Sequence, residues 1–497
     1  MIFKTDASET QAYLEDTSAL RDGHTPGVYI PENQEEALQV LKKAADEKFR
    51  LTLSGNGTGT TGGRIPYGDY VLASNKLNRI LGVEKHADGT GTARVECGVL
   101  LHDLQEEALA LGLLYAPDPT ESYCFIGATI SNNSSGSRSF KYGATRKYVK
   151  RLKVALLGGD FLEIKRGDIL ADDDGILRFT LASGKKMEIA IPNYDMPKTS
   201  KHTAGYFSAP NMDLIDLFIG SEGTLGFVLE ADLHLIPKPE KIIGVLAYFS
   251  DKDDVIRFVD EARERTKKAA TPNELSARAL EFFDANSLDF LRQKYPNIPA
   301  EAKGAIFFEQ EVTAASEDEL LGEWFDLMEK HHALLDNSWA ALSVDEQRAM
   351  REFRHSLPVL VNEWLSKQET RKISTDMAVP QAQFQELFNL YETQCQAQKL
   401  PYILFGHIGD SHLHLNILPK NMADFHRAKD LYDEFMANAL AMGGTISAEH
   451  GVGKLKSKYL VNLFGEAGIR EMVRIKKIFD PDLMLNVGNL IPKAYLH

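Results

Sequence analysis

Residues 412–417 read His-Leu-His-Leu-Asn-Ile, a strict alternation of polar and apolar side chains that an extended strand satisfies. On a strand His412, His414 and Asn416 project to one face, while Leu413, Leu415 and Ile417 pack behind them. The chain is thereby committed to a sheet with an apolar support under a row of polar groups. A lone strand histidine is usually a hydrogen-bonded structural residue. Three within eight residues, with Asn416 in phase, argue for a site, because buried polar groups need partners. His407 precedes a Gly409-Asp410 turn that can return its ring to the row, and Glu449, in Ala448-Glu449-His450-Gly451-Val452-Gly453, can supply an oxygen donor. His407, His414 and Glu449 make a His/His/Glu set for a divalent ion, and without a cysteine it suits Zn, Mn, Fe and Co alike. An ion held there polarises a substrate oxygen.

At 497 residues the chain exceeds what one core supports, so two domains are expected. Pro237-Lys238-Pro239 marks the boundary, since successive prolines stiffen a linker and stop a central strand. Before it, helical spacing over 35–47 leads into a strand at 49–54. Strands follow at 93–98, 152–157, 161–164, 176–181 and 225–236, with a helix over 101–111, so the first half is α+β. Beyond it, strands at 242–249, 305–312 and 403–418 alternate with helices at 253–267, 317–333 and 381–398. That order predicts an antiparallel sheet covered on one face by helices.

The net charge is -15, from 71 acidic against 56 basic residues, with no Lys/Arg block, which argues against nucleic acid or anionic membrane as a partner. Cys97, Cys124 and Cys395 are scattered, which excludes an iron–sulfur cluster, a zinc knuckle or a redox dithiol. The first ten residues hold neither a basic segment nor an apolar run, and nowhere do eighteen apolar residues run together. A cytoplasmic protein without a transmembrane segment is the expectation, with peripheral attachment at the inner face of a membrane left open.

Ser54-Gly55-Asn56-Gly57-Thr58-Gly59-Thr60-Thr61-Gly62-Gly63 packs five glycines into ten residues directly after a strand. Such backbone lets consecutive N–H groups converge into a nest for phosphate oxygens. The loop lacks the Lys of a Walker motif, so a P-loop is not supported. It has company in Pro117-Asp118-Pro119, in the small-residue run 126–136, in Tyr142-Gly143, and in Gly220-Ser221-Glu222-Gly223-Thr224-Leu225-Gly226.

In this order the motifs resemble the FAD-binding domain of the vanillyl-alcohol oxidase / p-cresol methylhydroxylase flavoprotein superfamily. Gly-His-x-Gly-Asp and Glu-His-Gly-x-Gly resemble the cap domain of its FAD-linked D-2-hydroxyacid dehydrogenase branch, which includes D-lactate dehydrogenase, D-2-hydroxyglutarate dehydrogenase and the glycolate oxidase flavin subunit. The resemblance runs from about residue 25 to the C-terminus. It implies an α+β chain: a two-part FAD-binding domain over 1–237, an antiparallel-sheet cap with helices on one face over 238–450, and a segment 451–497 that returns to the FAD domain.

The resemblance further implies that Gly55, Asn56, Gly57, Thr58, Gly59 and Thr60 wrap the FAD pyrophosphate, and that Pro117, Gly127, Thr129, Ser131, Asn133, Gly136 and Gly143 line the cofactor. Glu222, Gly223, Val228 and Asn486 would lie near its other parts. Covalent members often carry a His in the first loop; none occurs between Ser54 and Gly63, which implies noncovalent FAD. In the cap, His407, His414 and Glu449 match ligands of a divalent metal such as Zn, Mn or Fe, Asn416 a substrate-site residue, and His450 the base. Arg354 matches an arginine that clamps the substrate carboxylate, and Lys201 and Tyr206 a further pocket motif.

Three departures stand out. His412 occupies a position where many relatives have Asn, placing an extra imidazole at the metal or the substrate. Ser374 precedes Thr375-Asp376 as in D-lactate-type members, where D-2-hydroxyglutarate enzymes carry Lys, and Val487 and Asn489 replace Pro and Lys of Leu-Asn-Pro-Gly-Lys. The implied reaction is oxidation of a D-2-hydroxy acid, a D-lactate-like monocarboxylate favoured, to the 2-oxo acid by hydride transfer to flavin N5. D-2-hydroxyglutarate or glycolate are alternative substrates. An alkylglycerone-phosphate-synthase-like FAD transferase and a zinc hydrolase are rival readings. A quinone, a cytochrome or an electron-transfer flavoprotein would accept the electrons, and the oligomeric state, homodimer included, stays open.

Overall fold

Helix Gln34–Glu47 buries Ala37, Val40, Leu41 and Ala44, one stripe at helical spacing, and Asn33 caps it by accepting the Glu36 N–H at 3.0 Å. It links strands Val28–Ile30 and Leu51–Ser54, which both run parallel to Tyr70–Ala73 lying between them. This is the expected βαβ start, in a computed structural model that describes residues 1–496. Ile2–Lys4 adds an antiparallel edge. A second, antiparallel sheet runs in the order Ile80–Lys85, Gly91–Glu96, Phe227–Pro237, Val149–Ala155, Phe161–Lys165. Its central strand ends at Pro237, and the next strand, Lys241–Phe249, belongs to a different sheet.

That third sheet is antiparallel, in the order Trp339–Ala341, Lys241–Phe249, Gly304–Val312, Ala277–Asp284, Tyr402–Gly406, His414–Ile417, Ile373–Ser374. Alternation along Gly304–Val312 shows what covers it. Ile306 and Phe308 pack with Phe258 and Trp324 of helices Lys252–Lys268 and Glu317–Lys330, Phe308 stacking on Trp324 at 4.0 Å. Ala305 and Phe307 face the opposite way, toward Leu288 and Leu291 of helix Ala285–Arg292 and Phe353 and Leu357 of helix Val344–Lys367. Helices therefore cover both faces, a correction to the one-sided layer read from sequence. The second layer escaped because the apolar stripe of Val344–Lys367 is set among charged residues and interrupted by Pro358. Strand Ala277–Asp284 escaped as well: every residue in it is buried, so it has no polar–apolar alternation.

After helix Ser457–Phe479 the chain lies against the first half. Lys476 and Asp480 form a fully buried pair at 2.7 Å. Lys476 also donates to the carbonyls of Thr224 and Leu485 at 2.8 Å, and Asp480 accepts the N–H groups of Met484 and Leu485. The Asn486 N–H then donates to the Leu51 carbonyl at 2.9 Å, and the Leu51 N–H to the Met484 carbonyl at 3.0 Å. Among the described residues no helix is long and apolar enough to cross a membrane. Lys476→Met strands the Asp480 carboxylate in the interior. It should cost about 3–5 kcal/mol in urea unfolding free energy, and flavin affinity should fall with it as the 485–489 segment loosens.

Candidate active site

The glycine loops converge on one open cleft. Gly55, Asn56, Gly57, Thr58, Gly59, Gly127, Ser131, Glu222, Gly223, Val228 and Asn486 line it, together with Asp16, Thr61, Arg64, Cys97, Asn132 and Asn489. None of the N–H groups of residues 55–61 donates to a protein acceptor among the described residues, which is the free-donor cradle that a pyrophosphate requires. Gly57 and Gly62 hold φ of +80° and +73° there. Although Gly57, Gly59 and Gly62 have Gly-x-Gly-x-x-Gly spacing, strand Tyr70–Ala73 follows and not a helix, so no helix N-terminus faces the loop as in a Rossmann unit. The donor set fits FAD, and no histidine lines the cleft among the described residues, leaving no imidazole there to attach it covalently.

Six expected cofactor residues are not on this lining. Thr60 is exposed. The Pro117 carbonyl accepts from Gln105, and the Thr129 hydroxyl donates to the Ile126 carbonyl. Asn133, at φ +48°, accepts the Arg146 N–H, and Gly143, at φ +82°, ends helix Ser139–Tyr142. At Gly136 a Cβ would lie 1.9 Å from the Asp118 carbonyl, so only glycine fits.

The second half builds the histidine cluster. Strands Tyr402–Gly406 and His414–Ile417 pair with Phe405 opposite His414, and the connection closes because Ser411 takes φ +55° and Gly406 φ +120°. A Cβ at Gly406 would sit 2.9 Å from the His414 ring. Ring centroids lie 5.3 Å (His407–His414), 5.4 Å (His407–His412) and 4.6 Å (His412–His414) apart. Donor atoms of His407, His412, His414 and Glu449 all fall within 4.8 Å of one another, and those of Asp376, His414 and His450 form a second such group. Two carboxylates missed in the sequence hold the rings. Glu281 Oε1 lies 2.5 Å from His407 Nδ1, and Asp376 Oδ1 3.3 Å from His412 Nε2. Asp376 also accepts Ser447 Oγ and Lys456 Nζ at 2.6 Å, and the N–H groups of Glu449 and His450 at 3.2 and 3.1 Å. The signal for Asp376 was Thr375-Asp376 itself; Glu281 gave none.

The other expected residues divide. Lys201 Nζ lies 3.2 Å from both Glu449 and Asp410, and donates to the Gly136 carbonyl at 2.8 Å. Asn416 is buried in the row with its Oδ1 lacking a partner among the described residues. His450 stacks on His414 at 5.2 Å, with Nδ1 3.7 Å from Asp376, and at 29% exposure it is the most open imidazole of the group. Arg354 places Nε and Nη2 on Glu281 Oε2 at 3.0 and 2.7 Å, so most of its fork orients a buried carboxylate. Tyr206 is fully buried with its hydroxyl 2.6 Å from Thr224 Oγ1, behind the 220–226 loop and outside the cluster. Desolvation opposes the charge on His407, but Glu281 and Glu449 outweigh it and lift its pKa to about 9. Burial raises Glu281 less than Arg354 and His407 lower it, leaving it at about 2. Burial together with the neighbouring His412 holds His414 neutral, far below the usual imidazole range.

One carboxylate joins cluster and cleft. Glu222, on the cleft wall, accepts the N–H groups of Val452 and Gly453 at 2.6 and 2.8 Å, with Gly451 between them and Glu449-His450. The Thr61 carbonyl accepts those of Lys454 and Leu455.

Residues 238–490 match the family of FAD linked oxidases, C-terminal domain, and residues 25–165 the FAD binding domain family. The glycolate oxidase subunit GlcD of Bacillus subtilis (strain 168) is 30% identical over 472 residues, spanning 94% of this chain and 89% of that protein. A D-lactate dehydrogenase of Anaerostipes hadrus is 28% identical, over 92% and 88% of the two chains. A D-2-hydroxyglutarate dehydrogenase of Xanthomonas citri pv. viticola is 28% identical, over 98% and 93%. Among solved structures, an alkyldihydroxyacetonephosphate synthase superposes with a TM-score of 0.67 at 17% identity, over 97% of this chain and 82% of that one, which shows a shared fold. With half the chain inside one family, residues 25–165 inside the FAD binding domain family and a relative at 30% identity along nearly the whole length, this chain belongs to the FAD-linked oxidases and is an FAD-dependent oxidoreductase.

Proposed function

We propose that the protein oxidises a D-2-hydroxy acid to the 2-oxo acid, and that its substrate is a small, D-lactate-like monocarboxylate. The observation that carries this reading is the docking of the Glu449-His450 loop onto the cofactor cleft through Glu222, which sets a half-buried imidazole beside a buried His–Glu cluster. When bound, FAD supplies the acceptor for the hydride from C2, and a divalent ion held by His407, His414 and Glu449 supplies a Lewis acid.

The chain's own residues do the rest. His450 takes the hydroxyl proton, with Asp376 on its Nδ1 side fixing the ring. Asn416 offers the substrate a buried Oδ1 acceptor that has no partner among the described residues. Arg354 meets the substrate carboxylate with the edge of its guanidinium left over from Glu281. Lys201, held positive by Asp410 and Glu449 against the pull of burial, balances the Glu449 charge. Ser374 is exposed beside Asn416 in the ladder, where a lysine would hold a second carboxylate, and this favours a monocarboxylate. Relatives named for D-lactate, glycolate and D-2-hydroxyglutarate bracket the substrate class.

Three measurements test the reading. Acid precipitation should release intact FAD into the supernatant; flavin retained in the pellet overturns noncovalent binding. Anaerobic mixing with D-lactate, L-lactate, glycolate and D-2-hydroxyglutarate should bleach the flavin fastest with D-lactate and not with the L-isomer. Bleaching by none of them overturns the reaction, and a preference for D-2-hydroxyglutarate overturns the monocarboxylate. His450→Asn should slow single-turnover bleaching by about 10²–10⁴-fold while the protein stays yellow, the usual worth of a general base; a change of only a few-fold removes His450 from that role.

A further inference from the structure

His412 is the one imidazole of the cluster that the reaction described above does not use, and its surroundings are unusual. It is 0% exposed; Nε2 lies 3.3 Å from Asp376 Oδ1, while Nδ1 makes no hydrogen bond among the described residues. Burying an unpartnered ring nitrogen costs free energy, so Nδ1 kept in this state points to a partner other than protein. We propose that His412 is a fourth protein ligand of the divalent ion, which would then be held by three imidazoles and one carboxylate. The proposal rests on the reading of the cluster as a metal site and names a donor beyond the His/His/Glu set.

The pattern of ring contacts supports it. Ligating histidines usually give the ring nitrogen that faces away from the metal to a carboxylate or carbonyl, which fixes the tautomer and aims the other nitrogen. His407 turns Nδ1 to Glu281 at 2.5 Å and Nε2 toward Glu449 Oε2 at 3.2 Å. His414 turns Nδ1 to the Thr375 carbonyl at 3.4 Å and Nε2 toward Glu449 Oε1 at 3.9 Å. His412 repeats the arrangement with its nitrogens exchanged: Nε2 faces Asp376 Oδ1 at 3.3 Å and Nδ1 faces Glu449 Oε2 at 3.9 Å. Each ring has an acceptor behind it and Glu449 in front. Asp376 thereby serves as the orienting carboxylate of His412, the part that Glu281 plays for His407.

A fourth protein donor also narrows the metal. Four donors fill a tetrahedral zinc site, as in structural centres closed to substrate. An ion that takes six ligands keeps two positions, the number that a hydroxy acid needs to bind through its hydroxyl and one carboxylate oxygen. The donor set therefore favours manganese, iron or cobalt over zinc.

The test uses the full-length flavoprotein, chelated to remove metal with FAD retained, and Co²⁺ alone as probe. X-ray absorption at the cobalt edge should give three imidazoles and a six-coordinate ion. His412→Asn, the residue of many relatives, should give two imidazoles and bind Co²⁺ at least about 10–100-fold more weakly in chelator competition, the loss found even for outer-shell partners. Flavin retention checks that the variant is folded; if it is not, the parent spectrum decides by itself. Two imidazoles in the parent, or unchanged affinity in the folded variant, overturns the fourth ligand and leaves the His/His/Glu reading standing. A parent that binds no Co²⁺ overturns the metal site on which both rest.

Discussion

The Glu222 carboxylate is the constraint on which the rest of the molecule depends. It is buried, its backbone takes φ +51°, and Asn486 holds its carbonyl at 2.6 Å. Burial pushes its pKa up, and the Val452 and Gly453 N–H groups pull against that. Those N–H groups come two and three residues after His450, so one side chain on the cofactor cleft sets where the Glu449-His450 loop stands. Gly451 and Gly453 are required for the approach. Both have positive φ, and a Cβ at Gly453 would lie 2.3 Å from the Thr61 carbonyl.

The cluster shows how ionic groups can be kept in a protein interior. Each buried carboxylate near the imidazoles has a cation: Arg354 on Glu281, Lys456 on Asp376, Lys201 on Glu449. Desolvating a charge costs several kcal/mol, and such pairs persist only where further hydrogen bonds satisfy the remaining lone pairs. Asp376 meets that condition with a hydroxyl, an ammonium and two backbone N–H groups. The geometry so fixed lies one layer behind the chemistry. This explains why Arg354, expected at the substrate, spends two of its nitrogens on Glu281.

Local pattern made much of this legible. The alternation at 412–417 placed the polar row, and the glycine loops placed the cofactor cleft, because both depend on backbone geometry that neighbouring residues dictate. What stayed hidden depends on contacts distant in sequence. Glu281 sits on a strand without alternation, 126 residues from His407, and nothing near it announces a ligand partner. Tyr206 reads like a pocket residue, yet its hydroxyl is taken by Thr224 on the far side of a loop, a pairing set only by how the loop stacks. Thr129, Asn133, Gly136 and Gly143 came from the resemblance; in the fold they also close their own loops, through the Thr129–Ile126 and Arg146–Asn133 bonds and the tight approach at Gly136.

Division of labour between the two halves follows from the same contacts. A base must be wet enough to meet substrate, and imidazoles that would hold an ion must be dry. One short loop satisfies both demands. Glu449 turns inward to three buried rings, and the next residue, His450, turns to the opening while stacking on His414. Glu449 and His450 lie in a bend, and in the proposed roles this sets a ligand and a base side by side with no residue between them. Asp376 accepts both of their N–H groups and so fixes the dipeptide's direction, and Glu222 fixes its position. The adjacency of Glu449 and His450 is then a mechanical requirement of a site assembled at the seam between a cofactor cleft and a sheet.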